Sequence, residues 1–255
     1  MTLAMNLVLP RRLSGALLLL VAATGHAGDI TVSAASSLTN AFQEIGRAFE
    51  LANPGERVLF NFGASGSLVT QITRGAPVDA FAAADQESMD KAQSAGAVDR
   101  ATRFNFARNQ LVIAVPVDSN LGIAGLRDLL KPGVARVVMG NPESVPAGRY
   151  ARLALEQAGL WADVKARALN TVNVRQALDY VARGEVEAGF VYLTDVLMMP
   201  KRVKRAATVD VPEEILYPVA AVRGGGNFAG GKLFVAFLRT PAAVAILDKY
   251  GFARP

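Results

Sequence analysis

A chain of 255 residues, 51% of them hydrophobic and none of them cysteine, can bury one large core or two smaller ones, with no disulfide to support either. Its 27 basic and 22 acidic residues leave +5 at neutral pH, too mild a surplus to mark a nucleic-acid binder, and the dense basic run from Lys201 to Arg205, which follows a proline and has no interleaved aromatic residues, reads as a solvated loop. His26 is the single histidine, so the chain beyond it has no place for a Ser-His-Asp triad, a cysteine nucleophile or a zinc site built on histidine or cysteine.

The first segment in chain order is a leader. Arg11 and Arg12 precede an apolar run from Leu13 to Ala23, and Gly25-His26-Ala27 sets small residues where a signal peptidase reads. That run is far shorter than the ~20 apolar residues that span a bilayer. The expectation is a cleavable secretion signal over 1–27, a mature protein free in the periplasm, and no cysteine after the cut to carry a lipid anchor. Cleavage takes His26, Arg11 and Arg12 away and leaves 25 basic against 22 acidic residues, or +3.

Strands and helices then alternate. "DITVSAA" reads as a buried strand, and Leu38, Phe42, Ile45 and Phe49 recur at helical spacing with Ser36 or Ser37 placed to cap the start. "RVLFNF" is a strand, followed by a helix carrying Leu68 and Ile72 that stops at Gly75 before Pro77. "VDAFAAA" is the next strand, and a helix from Gln86 to Ala95 follows, with Gly96 as its stop. "QLVIAVP" and "RVVMG" flank a short helix near Leu126 to Leu130, and a helix after "NPESVPAG" runs to about Ala158. Val174, Leu178 and Val181 mark a helix capped by Asn173 and ended by Gly184, ahead of the strand "EAGFVY". "YPVAAV" and helices from Lys232 to Leu238 and Pro241 to Tyr250 close the chain. Repeated strand-helix units predict an α/β fold with open, mainly parallel sheets; no internal repeat is legible.

Two motifs invite a chemistry they do not complete. Gly63-Ala64-Ser65-Gly66-Ser67 misses the nucleophile elbow G-x-S-x-G because its fifth residue is serine, and no S-x-x-K starts at Ser36, Ser37, Ser65 or Ser67. A histidine-free serine hydrolase is therefore the weaker alternative, and the chain reads as a non-enzyme. Gly224 to Ala229 matches the dinucleotide fingerprint G-x-G-x-x-A, but no second strand follows to close a βαβ unit, so a flexible surface loop is expected there.

Four strand-to-helix junctions place small residues or bare backbone at a helix start: Ser36-Ser37, Ser65-Gly66-Ser67, Pro146-Ala147-Gly148 and Asn173-Val174. Free N–H groups and the positive end of the helix dipole can receive an anion there, although ordinary capping needs the same residues. Junctions at the carboxyl ends of strands in an open α/β sheet can share one crevice. The residues alone reach only a small-anion site.

"AASSLTNAFQEIG", "FGASGSLVTQITRGAPVDAFAAADQ", "NPESVPAGRYARLAL", "NVRQAL" and "GFVYLTD" lie in the order and approximate spacing of the periplasmic molybdate-binding proteins, and "YPVAAV" and "KYGF" resemble that family too. The resemblance spans essentially the whole chain after the leader. It implies a two-lobed periplasmic binding protein of type II, with 28–108 and 219–255 in lobe 1, 109–218 in lobe 2, and a ligand cleft between an open sheet in each. It implies molybdate, and tungstate beside it, as ligand, held without a cofactor or a directly coordinated metal. The partner would be the membrane permease of a molybdate importer of the ATP-driven class, and the protein a monomer. Carried across on the matching motifs, ligand contacts fall to Ser37, with Ser36 as its rival, and to Ser65, with Ser67 as its rival. The backbone amides of Ala147 and Val174 and the phenol of Tyr192 complete the set, while Asp79 and Asp85 are expected to be structural.

The implied set suits the ion chemically. A fully deprotonated tetrahedral dianion offers only acceptors, so a site made of donors fits it, and a protonated phosphate would want a carboxylate. Five to seven hydrogen bonds to a charged ligand, at about 1.5 to 3 kcal/mol each, supply on the order of 10 kcal/mol, which is roughly micromolar to nanomolar affinity. Donor chemistry does not separate sulfate from molybdate, so a sulfate receptor is the alternative within the class.

Overall fold

The computed structural model describes residues 28–255, so the expected leader lies outside the described residues. Strands Asp29–Ala35 (β1), Arg57–Gly63 (β2) and Ala80–Ala82 (β3) alternate with helices Thr39–Ala52 (α1), Ser65–Thr73 (α2) and Gln86–Ser94 (α3). Phe104–Asn109 (β4) and Ile215–Ala221 (β10) complete a five-stranded sheet ordered β2-β1-β3-β10-β4. The second sheet contains Leu111–Pro116 (β5), Val137–Gly140 (β6), Ala168–Thr171 (β7), Ala188–Tyr192 (β8) and Val203–Val209 (β9), ordered β7-β6-β8-β5-β9. Its helices are Pro146–Gln157 (α4), Trp161–Lys165 (α5), Val174–Ala182 (α6) and Leu193–Met198 (α7); Phe228–Phe237 (α8) and Pro241–Lys249 (α9) end the chain.

The two sheets use one topology twice. In the first, β10 is antiparallel to both neighbours and the other strands share a direction; in the second, β5 is the reversed strand. Each sheet is therefore mixed, with its parallel trio at one side and its reversed strand fourth in order. Chain passes between the lobes at Gln110, which alone separates β4 from β5, and again between Val209 and Ile215. The second pass comes earlier than the sequence suggests, because residues 215–218 already pair in the first sheet.

Helical periodicity explains how the first lobe is filled. Ala41, Phe42, Ile45 and Phe49 form the buried face of α1. Phe42 meets Phe106 at 5.6 Å and Phe234 at 5.9 Å between ring centroids, and Phe49 meets Phe234 at 5.5 Å. Each such ring contributes about 1.5–3 kcal/mol by burial, which fixes α1 and α8 on one face of the sheet. On the other face, Leu68, Val69 and Ile72 of α2 pack with Met89 and Ala92 of α3.

Several expectations need correction. Ser36 and Ser37 do not cap α1: they lie in a 3-10 turn, Ser36–Leu38, without a side-chain cap bond, and Thr39 Oγ1 instead donates to Ser36 O at 2.7 Å. The segment near Leu126 is also a 3-10 turn. The basic run is not a loop throughout, since Val203, Lys204 and Arg205 belong to edge strand β9, with Val203 buried and the two charges exposed. The glycine-rich loop at 224–227 is tethered: Asp79 Oδ1 accepts Asn227 N–H at 2.6 Å, and Asp79 Oδ2 accepts Thr31 N–H at 2.8 Å. Asn227 then caps α8 by accepting Gly230 N–H at 2.9 Å. Asp79 is structural for that reason.

Candidate functional site: a donor-lined cavity between the lobes

Parallel strands of both sheets aim their carboxyl ends at one another, and the chain leaving each end supplies the site. Ser36 and Ser37 follow β1, Ser65 follows β2 and Ala84 follows β3; from the second lobe, Ala147 comes after β6, Val174 after β7, and Tyr192 ends β8. All seven line one small cavity with about 10 Å³ of free room inside it, too small for a sugar or a peptide. Ser37, Ser65, Ala147, Val174 and Tyr192 are thus brought together, and Ser36 with them. Ser67 is left out, exposed on the outer side of α2.

Three helices begin at this cavity. Ser65 and Val174 are the first residues of α2 and α6, and Ala147 is the second of α4, behind Pro146, which has no N–H to offer. First-turn N–H groups have no helical acceptor, so they remain free to bind a ligand and bring the positive ends of the helix dipoles with them. At α6 the side chain of Asn173 takes Gln176 N–H at 3.0 Å, a cap that leaves the Val174 amide unused. At α2 no side chain caps the helix.

The serine hydroxyls are held as donors by what stands behind them. Ser65 Oγ, fully buried, accepts Ala84 N–H at 3.0 Å, so its own proton is free to turn to the cavity. Ser37 Oγ lies 3.0 Å from the hydroxyl of Tyr217. Asn109 sets the direction of that bond. Its Oδ1 accepts Gln110 N–H at 2.9 Å, and its amide donates to Thr194 Oγ1 at 2.9 Å and to Tyr217 Oη at 3.2 Å. The arrangement that leaves no hydroxyl proton idle has Tyr217 donating to Ser37, with the Ser37 proton turned to the cavity. Tyr192 is buried with a hydroxyl that has no protein partner, an uncompensated cost that a ligand in the cavity would remove. Burial, reinforced by the neighbouring Tyr217 and Tyr150 phenols, pushes the Tyr192 ionisation well above the ordinary phenol range, so it stays a donor.

No lysine, arginine, aspartate or glutamate lines the cavity. Asp85 stands just outside it, capping α3 through Ser88 N–H at 3.3 Å and pairing with Arg149 of the second lobe. Gly66 N–H donates across the cleft to Ser144 O at 3.0 Å, and a Cβ on Gly66 would lie 2.7 Å from that oxygen. Sequence reasoning did not reach the Tyr217–Asn109 support, whose members sit on the two first-lobe strands that adjoin the crossings; Tyr217 is the one polar side chain of an apolar strand, but nothing sets Asn109 apart in β4, which also carries Asn105 and Arg108.

Two open α/β lobes with facing strand ends and a closed, neutral, donor-lined cavity define a two-lobed solute-binding protein. A family profile described as bacterial extracellular solute-binding protein matches residues 30–253, and the chain belongs to that family. Over 236 residues it is 40% identical to the molybdate-binding protein ModA of Escherichia coli (strain K12), an alignment covering 88% of this chain and 89% of that one. The periplasmic molybdate-binding protein of Azotobacter vinelandii superposes with a TM-score of 0.77 at 24% identity, over 89% of this chain and 99% of that chain. The sulfate-binding protein SubI of Mycobacterium tuberculosis H37Rv also gives 0.77, at 20% identity over 89% and 86%. At those identities the two superpositions speak for the fold alone.

Proposed function

We propose that this protein is a periplasmic receptor that captures molybdate, and tungstate with it, in the interlobe cavity and delivers it to the permease of an ATP-driven importer. One observation carries the reading: Ser37, Ser65, Ala147, Val174 and Tyr192, which come from separate junctions in both lobes, line a single cavity with no ionisable acid or base beside them other than the phenol. Free first-turn amides, hydroxyls already accepting one bond from behind, and an orphan phenol make a shell rich in donors and without a carboxylate. A tetrahedral dianion that can only accept is its complement. The identity to molybdate-binding proteins supports the choice of ion, and the leader supports the compartment. The lobes of this reading are 28–109 with the final segment, and the stretch between the two passes, hinged at Gln110 and at 210–214.

Calorimetry with the mature chain tests it. Molybdate and tungstate are nearly equal in size and should bind within about tenfold of each other, whereas sulfate, which is smaller, would meet the same donors at longer distances and bind at least about a hundredfold more weakly. Equal or tighter binding of sulfate would turn the assignment to a sulfate receptor. Hydrolysis of an activated ester, lost in Ser65→Ala, would turn it to an enzyme.

A further inference from the structure

Outside the cavity the lobes are joined by two arginines. Arg149 lies on α4 two residues past Ala147, and Arg175 lies on α6 directly after Val174, so each rides on a helix whose first turn faces the cavity. Neither side chain lines it. Arg149 reaches into the first lobe to pair with Asp85, to Glu87 Oε2 at 3.1 Å and to Ser88 Oγ at 3.4 Å, with 16% of its side chain exposed. Arg175 reaches the first lobe beside α1, where Nη1 donates to Asn40 Oδ1 at 2.8 Å and Nη2 to Ser37 O at 3.0 Å. As α1 and α3 pack on opposite faces of the first sheet, the two contacts flank the cavity.

Arg175 also has a partner in its own lobe. Its Nε stands 2.8 Å from Oδ1 of Asp195, a fully buried carboxylate, but the N–H is not aligned for a hydrogen bond, so the contact is an ion pair. The aligned bonds of the guanidinium go to the other lobe. The second oxygen of Asp195 accepts Tyr192 N–H at 3.0 Å. One planar fork thereby ties the segments of Ser37, Val174 and Tyr192 together, which a lysine, as a single point of charge, has no geometry to do.

We propose that Arg149 and Arg175 are positioning residues that hold the cleft shut from outside the cavity and so set how long the bound ion stays. This rests on the receptor reading, because closure follows capture. The division of labour follows from charge: the cavity recognises the ion with neutral donors, and the energy that resists reopening is placed where the ion does not touch it. The outer half of the Arg149 contact, to half-exposed Glu87, is weakened by salt, while the inner half, to buried Asp85, is screened far less. Across the cleft Arg175 meets only neutral acceptors, so its contribution is far less sensitive to salt.

The chain has no cysteine, so Ala95→Cys and Gln157→Cys, both at exposed positions, place one spin or fluorescent label on each lobe. The label pair reports closure by any anion, and reopening after dilution of the molybdate-loaded protein gives the dissociation rate. Asn40→Ala removes one acceptor of Arg175 and leaves its ion pair with Asp195 intact; Arg149→Gln removes the other contact. Each should speed reopening by about tenfold, the loss of one charge-assisted bond, with association changed by no more than about twofold. Raising salt from about 0.05 to 0.5 M should speed reopening of the wild type and of Asn40→Ala but not of Arg149→Gln. Reopening of both variants at the wild-type rate, or slower association with unchanged dissociation, overturns the proposal. A wild type that closes on sulfate and not on molybdate overturns the choice of ion, and the latches are then read with sulfate. A wild type that closes on none of molybdate, tungstate and sulfate overturns the latches as well.

Discussion

A serine hydroxyl has one proton to give and two lone pairs to fill, and in this cavity the protein behind each serine engages one of the lone pairs. Ser65 takes Ala84 N–H and Ser37 takes the Tyr217 proton, so both are preset to donate. Ser65→Ala therefore removes a donor from the ligand and also strands the Ala84 amide, while the fold keeps the Ser65 N–H. Molybdate affinity should fall by about 1.5 to 3 kcal/mol, roughly ten to a hundred and fifty times, by calorimetry. Tyr192→Phe should lose a similar amount of affinity and gain stability in the unliganded protein, because the phenol it deletes is buried without a partner. Ser67→Ala should change affinity by less than about 0.5 kcal/mol, as expected of an exposed site away from the cavity. If Ser67→Ala abolishes binding and Ser65→Ala spares it, the loop presents the other serine. At this scale the glycine-serine motif was legible, but the choice between Ser65 and Ser67 was not. Both are two residues or fewer from Gly66, and only the start of α2 at Ser65 decides which one turns inward.

Helix starts and strand ends carry the site, so glycines at those places have work that no side chain could do. Gly66 sits in the first turn of α2, and its missing Cβ allows the approach to Ser144 O that lets the lobes meet. Gly66→Ala should leave melting of the unliganded protein nearly unchanged and lower molybdate affinity by about tenfold or more, since the clash arises only on closure. An equal loss of stability and affinity would place the clash within one lobe instead. Helices and central strands were legible because their periodicity is strong, as in the buried face of α1 and the unbroken apolar run of β5. What escaped has identifiable causes. β4 is separated from β5 by Gln110 alone, so nothing in the letters marks a change of lobe. β7 has only 4 residues, and α5 and α7 only 5 and 6, too short for a period to show. β9 is an edge strand whose outward lysine and arginine guard it from pairing with another chain, and that protective charge is what makes its sequence resemble a loop.

Across the whole molecule, one lobe topology repeated and joined by two strand crossings puts three buried phenols around the cleft and hinge. Tyr150, Tyr192 and Tyr217 all have their ionisation pushed above the ordinary value of 10.0, in each case chiefly by burial. Below that pH the folded and unfolded chains both keep these protons, and the stabilisation is fully present. Above it the unfolded chain releases them while the folded chain does not, so stability declines as pH rises towards the folded-state values. Each phenol contributes a slope of about −1.4 kcal/mol per pH unit, and the set of three about −4. Urea titrations between about pH 8 and pH 11 should show a plateau and then this decline, and Tyr192→Phe should remove about a third of the slope. Molybdate affinity should stay level up to about pH 9, because Tyr192 is still a donor there; an ionised Tyr192 would lose its proton and repel a dianion at once. Affinity that falls with a midpoint below pH 9, with stability unchanged over the same range, would show that Tyr192 titrates in the folded protein and that its burial is not what sets its charge.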